Sequence, residues 1–195
     1  MDSAQRPKSG PLEGCKQAIG VIGFFARTLS TSVEVFLRSG FGERYFGMQA
    51  AAVIPLALAF TMFWKDEDPI GLFVFLGAYV FMCAGRRIEG AIRRKRGDIA
   101  HTYYNGRPGI LSWRIFRRLS ERTAKRLVEP MLVCVTGALL NAVSRPLGFY
   151  LIVAGVGMIV STGFSEAYLH VRMMDVRDAY IEQKQVAEKF RGNFE

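Results

Sequence analysis

Catalytic and metal-binding patterns are missing from this chain. Its 195 residues contain no HExxH, CxxC, GxSxG or P-loop pattern, and no GxGxxG in a strand–helix setting. Its two histidines, His101 and His170, are distant from each other in sequence and lie near no acidic cluster. No catalytic, cofactor-binding or metal-ligating residue is therefore expected, and no cofactor. Cysteine is also scarce. Three residues, Cys15, Cys83 and Cys134, are no disulfide framework and should be free thiols. No repeat or low-complexity stretch is present, which sets solenoid and fibrous folds aside. Residues 1–14 lack the apolar core of a secretory signal peptide, so membrane insertion would rest on later segments.

What the chain does have is apolar residues, and they are clustered. Four runs stand out: Phe46–Trp64, Ile70–Gly85, Leu127–Val143 and Leu147–Phe164, of 19, 16, 17 and 18 residues. Only the third carries an ionisable group, Glu129, close to its start. A bilayer core needs about 20 residues of helix. These runs read as short spans whose flanking arginines snorkel to the headgroups. Soluble core helices keep a polar stripe, and the first two runs have none. Short linkers, Lys65–Pro69 and Ser144–Pro146, join the runs in pairs and impose antiparallel neighbours.

Charge supplies the threading. Of 26 Lys and Arg residues, 24 lie in residues 1–45, 86–126 and 165–195, and 2 lie in the hairpin linkers. The positive-inside rule then places both termini and the middle segment in the cytoplasm. The expected fold is an all-α integral membrane protein with two transmembrane hairpins and amphipathic cytoplasmic helices. Its segments are a flexible N-terminus (1–14), an amphipathic cytoplasmic or interfacial helix (15–38), hairpin one (46–85), a basic cytoplasmic segment (86–126), hairpin two (127–164) and a C-terminal cytoplasmic helix (165–191). The expected location is the inner or plasma membrane, crossed several times.

Three cytoplasmic segments offer contact surfaces. In the first, Cys15, Ile19, Ile22, Ala26, Leu29, Val33 and Phe36 trace one helical face, while Arg27, Glu34 and Arg38 point elsewhere. Those charges argue against a further span. In the second, Arg93, Arg94, Lys95 and Arg96 form one basic cluster, and Arg114, Arg117, Arg118, Arg122, Lys125 and Arg126 another. Beside a span, such clusters read as contacts for anionic lipid headgroups or partner proteins. Nucleic acid is not expected, because no binding motif accompanies the basic and aromatic residues. In the third, Leu169, Met173, Val176, Tyr180, Gln183, Ala187 and Phe190 recur with 4,3 spacing over about three heptads. That seam suits packing on residues 15–37 or oligomerisation.

Inside the runs, Glu129, Asn141 and Gln49 are the polar residues of interest. Glu129 is expected near the headgroups, paired with Lys125 or Arg126. Small residues at Gly137–Asn141 and Ala138–Ala142 in the third run, and Gly148, Gly155 and Gly163 recurring along the fourth, point to tight packing of these two helices. The functional expectation is a non-enzymatic subunit of a larger membrane assembly of the secretion, transfer or envelope type, with other subunits or further copies of the chain as partners. The alternative is an oligomeric channel or small-solute carrier.

Overall fold

A computed structural model of the chain describes residues 11–42, 47–96, 106–112 and 120–192. The described residues are mostly helical, at 85%. It divides into two compact units, Met1–Ser161 and Thr162–Glu195. The elements in order are α1 (Pro11–Leu37), β1 (Arg38–Ser39), α2 (Met48–Thr61), α3 (Ile70–Lys95), β2 (Arg107–Pro108), a 3-10 turn (Gly109–Ser112), α4 (Glu121–Thr123), a π turn (Ala124–Val128), α5 (Glu129–Leu140) and α6 (Arg145–Gly192). The first ten residues of the expected flexible terminus lie outside the described residues.

Among the described residues each apolar run is helical over most of its length. Lys65–Pro69 is a turn, whereas the second connection is shifted to residues 141–144, because Arg145 and Pro146 already belong to α6. Asp68 starts α3 by accepting the Ile70 N–H at 3.0 Å. The two tips lie side by side. Arg145 reaches Glu67 at 2.9 Å, and a Cβ at Gly71 would stand 2.7 Å from Ser144 Oγ. The exposed pair contributes little energy, but it locates both tips at one end.

Helix length departs from expectation. Three helices are long and apolar enough to cross a membrane: Gln17–Leu37, Ile70–Lys95 and Arg145–Arg191. By contrast, α2 has 14 residues and α5 has 12. At about 1.5 Å per residue neither alone covers a hydrocarbon core of about 30 Å. Upstream, α5 continues into a π turn because Pro130 has no N–H to return to the Arg126 carbonyl. Instead the Glu129 N–H reaches back five residues to the Ala124 carbonyl. Arg126 and Leu127 stay exposed while Glu129 turns fully inward.

Helix α1 is the other departure. Residues expected on its outward faces, Glu34 and Arg38, are buried, whereas Ile19, Val21 and Ile22 are exposed. From Ala26 to Val35 nearly every side of the helix is covered. Its side chains enter all three core clusters of the first unit. Val33 and Leu29 join Val133, Leu151, Ala154 and Met158. Val35 packs with Val53 and Tyr79, and Leu29 reaches Ala57, Leu72 and Tyr150. The Tyr79 hydroxyl donates to the Ala50 carbonyl at 3.0 Å, tying α3 to α2. The charges mark an inward contact of α1, which the sequence pattern alone could not distinguish from a solvated face.

Glycine lets α5 and α6 meet backbone to backbone, as the sequence spacing indicates. A Cβ at Gly148 would stand 2.5 Å from Asn141 Cα and 2.6 Å from its nitrogen. One at Gly155 would stand 2.5 Å from Cys134 Sγ, and one at Gly137 2.9 Å from the Gly148 carbonyl. Gly148→Ala must therefore push two backbones apart, lowering stability by about 1–3 kcal/mol. Thermal unfolding in mild detergent should show this loss, while Gly77→Ala, which meets nothing within 4 Å, should leave the midpoint level or slightly raised.

Candidate functional site

The chemically distinctive region of the first unit is a buried ion cluster. It forms where α1 hands over to β1. Ser30, Glu34 and Arg38 recur at four-residue spacing and so share a helical face. The Ser30 hydroxyl donates to Glu34 Oε1 at 2.5 Å. Arg38 Nη1 lies 3.0 Å from the same oxygen. On its other side, Arg38 Nε donates to Glu129 Oε2 at 2.7 Å, and Nη2 lies 2.6 Å from that oxygen. Arg38 is 2% exposed, Glu34 1% and Glu129 0%.

One guanidinium thus bridges two carboxylates from separate parts of the chain. Burial works against the charge on Arg38, but Glu34 and Glu129 outweigh it and raise its pKa above the ordinary guanidinium value. Both of its contacts with Glu129 use a single carboxylate oxygen. Glu129 Oε1 is left buried without a hydrogen-bond partner among the described residues.

Glu129 does not have its expected partner. Lys125 pairs with Glu121 at 2.6 Å, one turn back, and Arg126 is exposed. The π turn accounts for the difference, because it turns Glu129 away from its basic neighbours and toward α1. Asn141 presses its backbone against Gly148, and its Oδ1 is buried with no hydrogen-bond partner among the described residues. Gln49 is half-buried near the start of α2. Neither residue joins the ion cluster.

Around the cluster the chain brings basic residues together at the end away from the tips. Pairing of β1 with β2 sets Arg38 opposite Pro108 and Ser39 opposite Arg107. Gly40 and Gly106, with φ of 74° and 77°, allow the turns at this pairing. A Cβ at Gly40 would stand 2.7 Å from Arg93 Nη1, so the end of α3 lies against the same turn. Arg93 is held by Glu89 at 2.6 Å, and Arg86 reaches Glu89 at 3.1 Å. Arg94, Lys95 and Arg96 are exposed at the end of α3. Beside them in the chain order, Arg122, Thr123, Arg126 and Leu127 line an open depression of ≈ 530 Å³. Arg114, Arg117 and Arg118 lie outside the described residues.

Among the described residues no three His, Cys, Asp or Glu side chains converge as a metal site. The arrangement offers two chemistries. One is a buried ion group in which a single guanidinium holds two carboxylates, and the other is an exposed array of cations next to apolar surface. The sequence pattern located the second. It missed the first, because Glu34 and Arg38 look like an ordinary surface pair four residues apart. A signal was nevertheless available: a lone carboxylate in an apolar run needs an opposite charge. The chain matches no family model, no curated protein and no solved structure.

Arg38→Met would leave two buried carboxylates facing each other. Loss of one partner from such a group costs about 3–5 kcal/mol. Glu129→Leu alone should also destabilise. The double variant should fall short of the summed losses, because only Glu34, and no longer Glu129 as well, is left without the guanidinium. Denaturant titration of the three variants in mild detergent tests this, and strict additivity would refute the coupling.

Proposed function

We propose that the chain is a non-enzymatic, membrane-anchored subunit of a larger membrane assembly of the secretion, transfer or envelope type. Its two hairpins cross the bilayer four times, with both termini and the basic middle segment in the cytoplasm. The observation that carries the reading is the apolar surface of α3. Only 11% of its apolar window is buried inside the protein, and Phe73, Val74, Phe81 and Ile88 are exposed. So much apolar surface calls for lipid or a partner around it. At the end away from the tips this surface gives way to Arg93, Arg94, Lys95 and Arg96 on one helix and to Arg122, Lys125 and Arg126 on another. Cations at the rim of an apolar belt suit anionic headgroups and the acidic faces of neighbouring subunits. The buried charges of Arg38, Glu34 and Glu129 meanwhile contact one another.

Three measurements test this reading. Purified in mild detergent, the chain should carry stoichiometric foreign subunits by native mass measurement. A label at position 67 should be reachable only from outside the cell, and one at the N-terminus only from inside. An N-terminus labelled from outside would make α1 a fifth crossing and overturn the threading. Replacing Arg93, Arg94, Arg122 and Arg126 by Gln should weaken binding to anionic vesicles by at least about tenfold, at up to about 1 kcal/mol per residue. Unchanged binding would remove the lipid-docking role.

A second reading, an oligomeric channel or small-solute carrier, is favoured by one specific feature. Thr28, Ser30, Thr31, Ser32 and Glu34 are buried polar residues of α1, and Glu129 keeps a buried carboxylate oxygen with no hydrogen-bond partner among the described residues. Under that reading a lone homo-oligomer in liposomes conducts solute, and Glu129→Gln abolishes the flux. Absence of flux from the intact oligomer rejects it.

A further inference from the structure

The second unit presents a long helical surface with nothing of its own to cover it. Residues Leu169, Met173, Val176, Tyr180 and Phe190 are each more than half exposed, at 56%, 64%, 66%, 68% and 65%. Gln183 and Ala187, the other members of the seam, are exposed as well. The seam follows heptad spacing, with Met173, Tyr180 and Ala187 at one core position and Leu169, Val176, Gln183 and Phe190 at the other.

The flanks of the seam are not symmetric in charge. The position following each Leu169-type seam residue is occupied by His170, Arg177, Lys184 and Arg191, one basic residue per heptad. The opposite flank holds Arg172, Ala179 and Val186. Neither flank carries an acid. Asp175, Asp178, Glu182 and Glu188 occupy the outer positions of the helix. Lys184 is the one flank residue with a recorded contact, a loose approach to Glu188 at 3.9 Å.

This pattern discriminates between occupants. In a parallel pair of identical helices, Arg177 would face Arg172 of the other copy, and Lys184 and Arg191 would face Ala179 and Val186. In an antiparallel pair the basic row would face itself. Flank charges set partner choice in such seams, and like charges opposite each other disfavour pairing. A lipid surface fits poorly too. Residues 169–191 hold five Lys or Arg against four Asp or Glu, so the segment is nearly neutral, whereas lipid-directed helices gather an uncompensated cluster of cations. A protein helix with an apolar seam and acidic flanks satisfies both features.

We infer that the exposed seam of residues 169–190, with its row of His170, Arg177, Lys184 and Arg191, docks one acidic-flanked amphipathic helix of a different protein. This inference goes beyond the subunit reading and survives its failure, because a channel could also recruit such a partner. The test uses the full chain in mild detergent with a synthetic probe helix carrying leucine at the seam and glutamate at both flanks. Its control carries lysine at the flanks. The glutamate helix should bind about tenfold or more tightly than the lysine helix, as expected when several flank pairs each contribute a few tenths of a kcal/mol. Val176→Asp should abolish binding. Arg177→Glu combined with Lys184→Glu, at exposed positions that leave the fold intact, should reverse the preference toward the lysine helix. Equal affinity for both probes, or no binding of either, overturns the proposal. So does self-association of the chain that Val176→Asp removes, or a tail that binds anionic vesicles while ignoring the probes.

Discussion

The first unit depends on one guanidinium holding two carboxylates away from water. Arg38 sits where a long helix ends, and its two partners lie 4 and 91 residues away. At low dielectric either carboxylate alone would be strongly unfavourable. Together with Arg38 they fix the end of α1 against the start of α5. The other local features at this point follow from that constraint. The chain must turn directly after Arg38, which Gly40 permits with its positive φ. The π turn must present Glu129 inward, and Pro130 supplies the reason the regular hydrogen-bond ladder breaks there. Even the two-residue pairing with Arg107 and Pro108 fastens the same corner.

Away from that corner the unit is held by close approach. Surfaces this apolar gain little from sequestering one another if lipid is the alternative, so van der Waals fit has to distinguish the right contact from the wrong one. Glycines at 137, 148 and 155 bring α5 and α6 within backbone contact. On the opposite side α1 fills the space between helices with Leu29, Val33 and Val35. An ion cluster at one end and a glycine seam along the helices leave few alternative registers. Sliding α6 by one residue would place Leu147 or Phe149 against the Asn141 backbone.

How much of this was legible in the sequence depends on how local each signal is. The first linker, the four apolar helices and the α5–α6 glycine contact are local or periodic patterns, and they read correctly. The second linker lies earlier than expected, with Arg145 and Pro146 already in α6. Helix α1 read poorly for a physical reason. Glu34 and Arg38, four residues apart, look the same whether the pair faces solvent or is buried beside a third charge. What separated the cases was Glu129, distant in the chain, and its orientation depended on a π turn that periodicity assumes away. Pro130 was the available clue, since a proline just inside a helix removes an N–H from the preceding ladder. The expected spans at 46–64 and 127–143 were also read as longer than the regular helices they contain. Apolar runs include turn residues such as Phe63, Trp64 and Ala142, and hydropathy does not register where the hydrogen bonding ends.

Charge plays three separate parts in this chain, and burial decides which. At 0–2% exposure Arg38, Glu34 and Glu129 satisfy one another, so their role is conformational and they have little left to offer a ligand. At the end of α3, Arg94, Lys95 and Arg96 are exposed and keep much of their hydration. Along the second unit the same residue types alternate with acids by helical position, so net charge nearly vanishes while one flank stays basic. Composition alone would sum all three groups into a charge of +9 and assign them one purpose. Position separates them: the first specifies how the chain folds, the second is the group proposed to meet a broad anionic field, and the third the one proposed to select a partner helix.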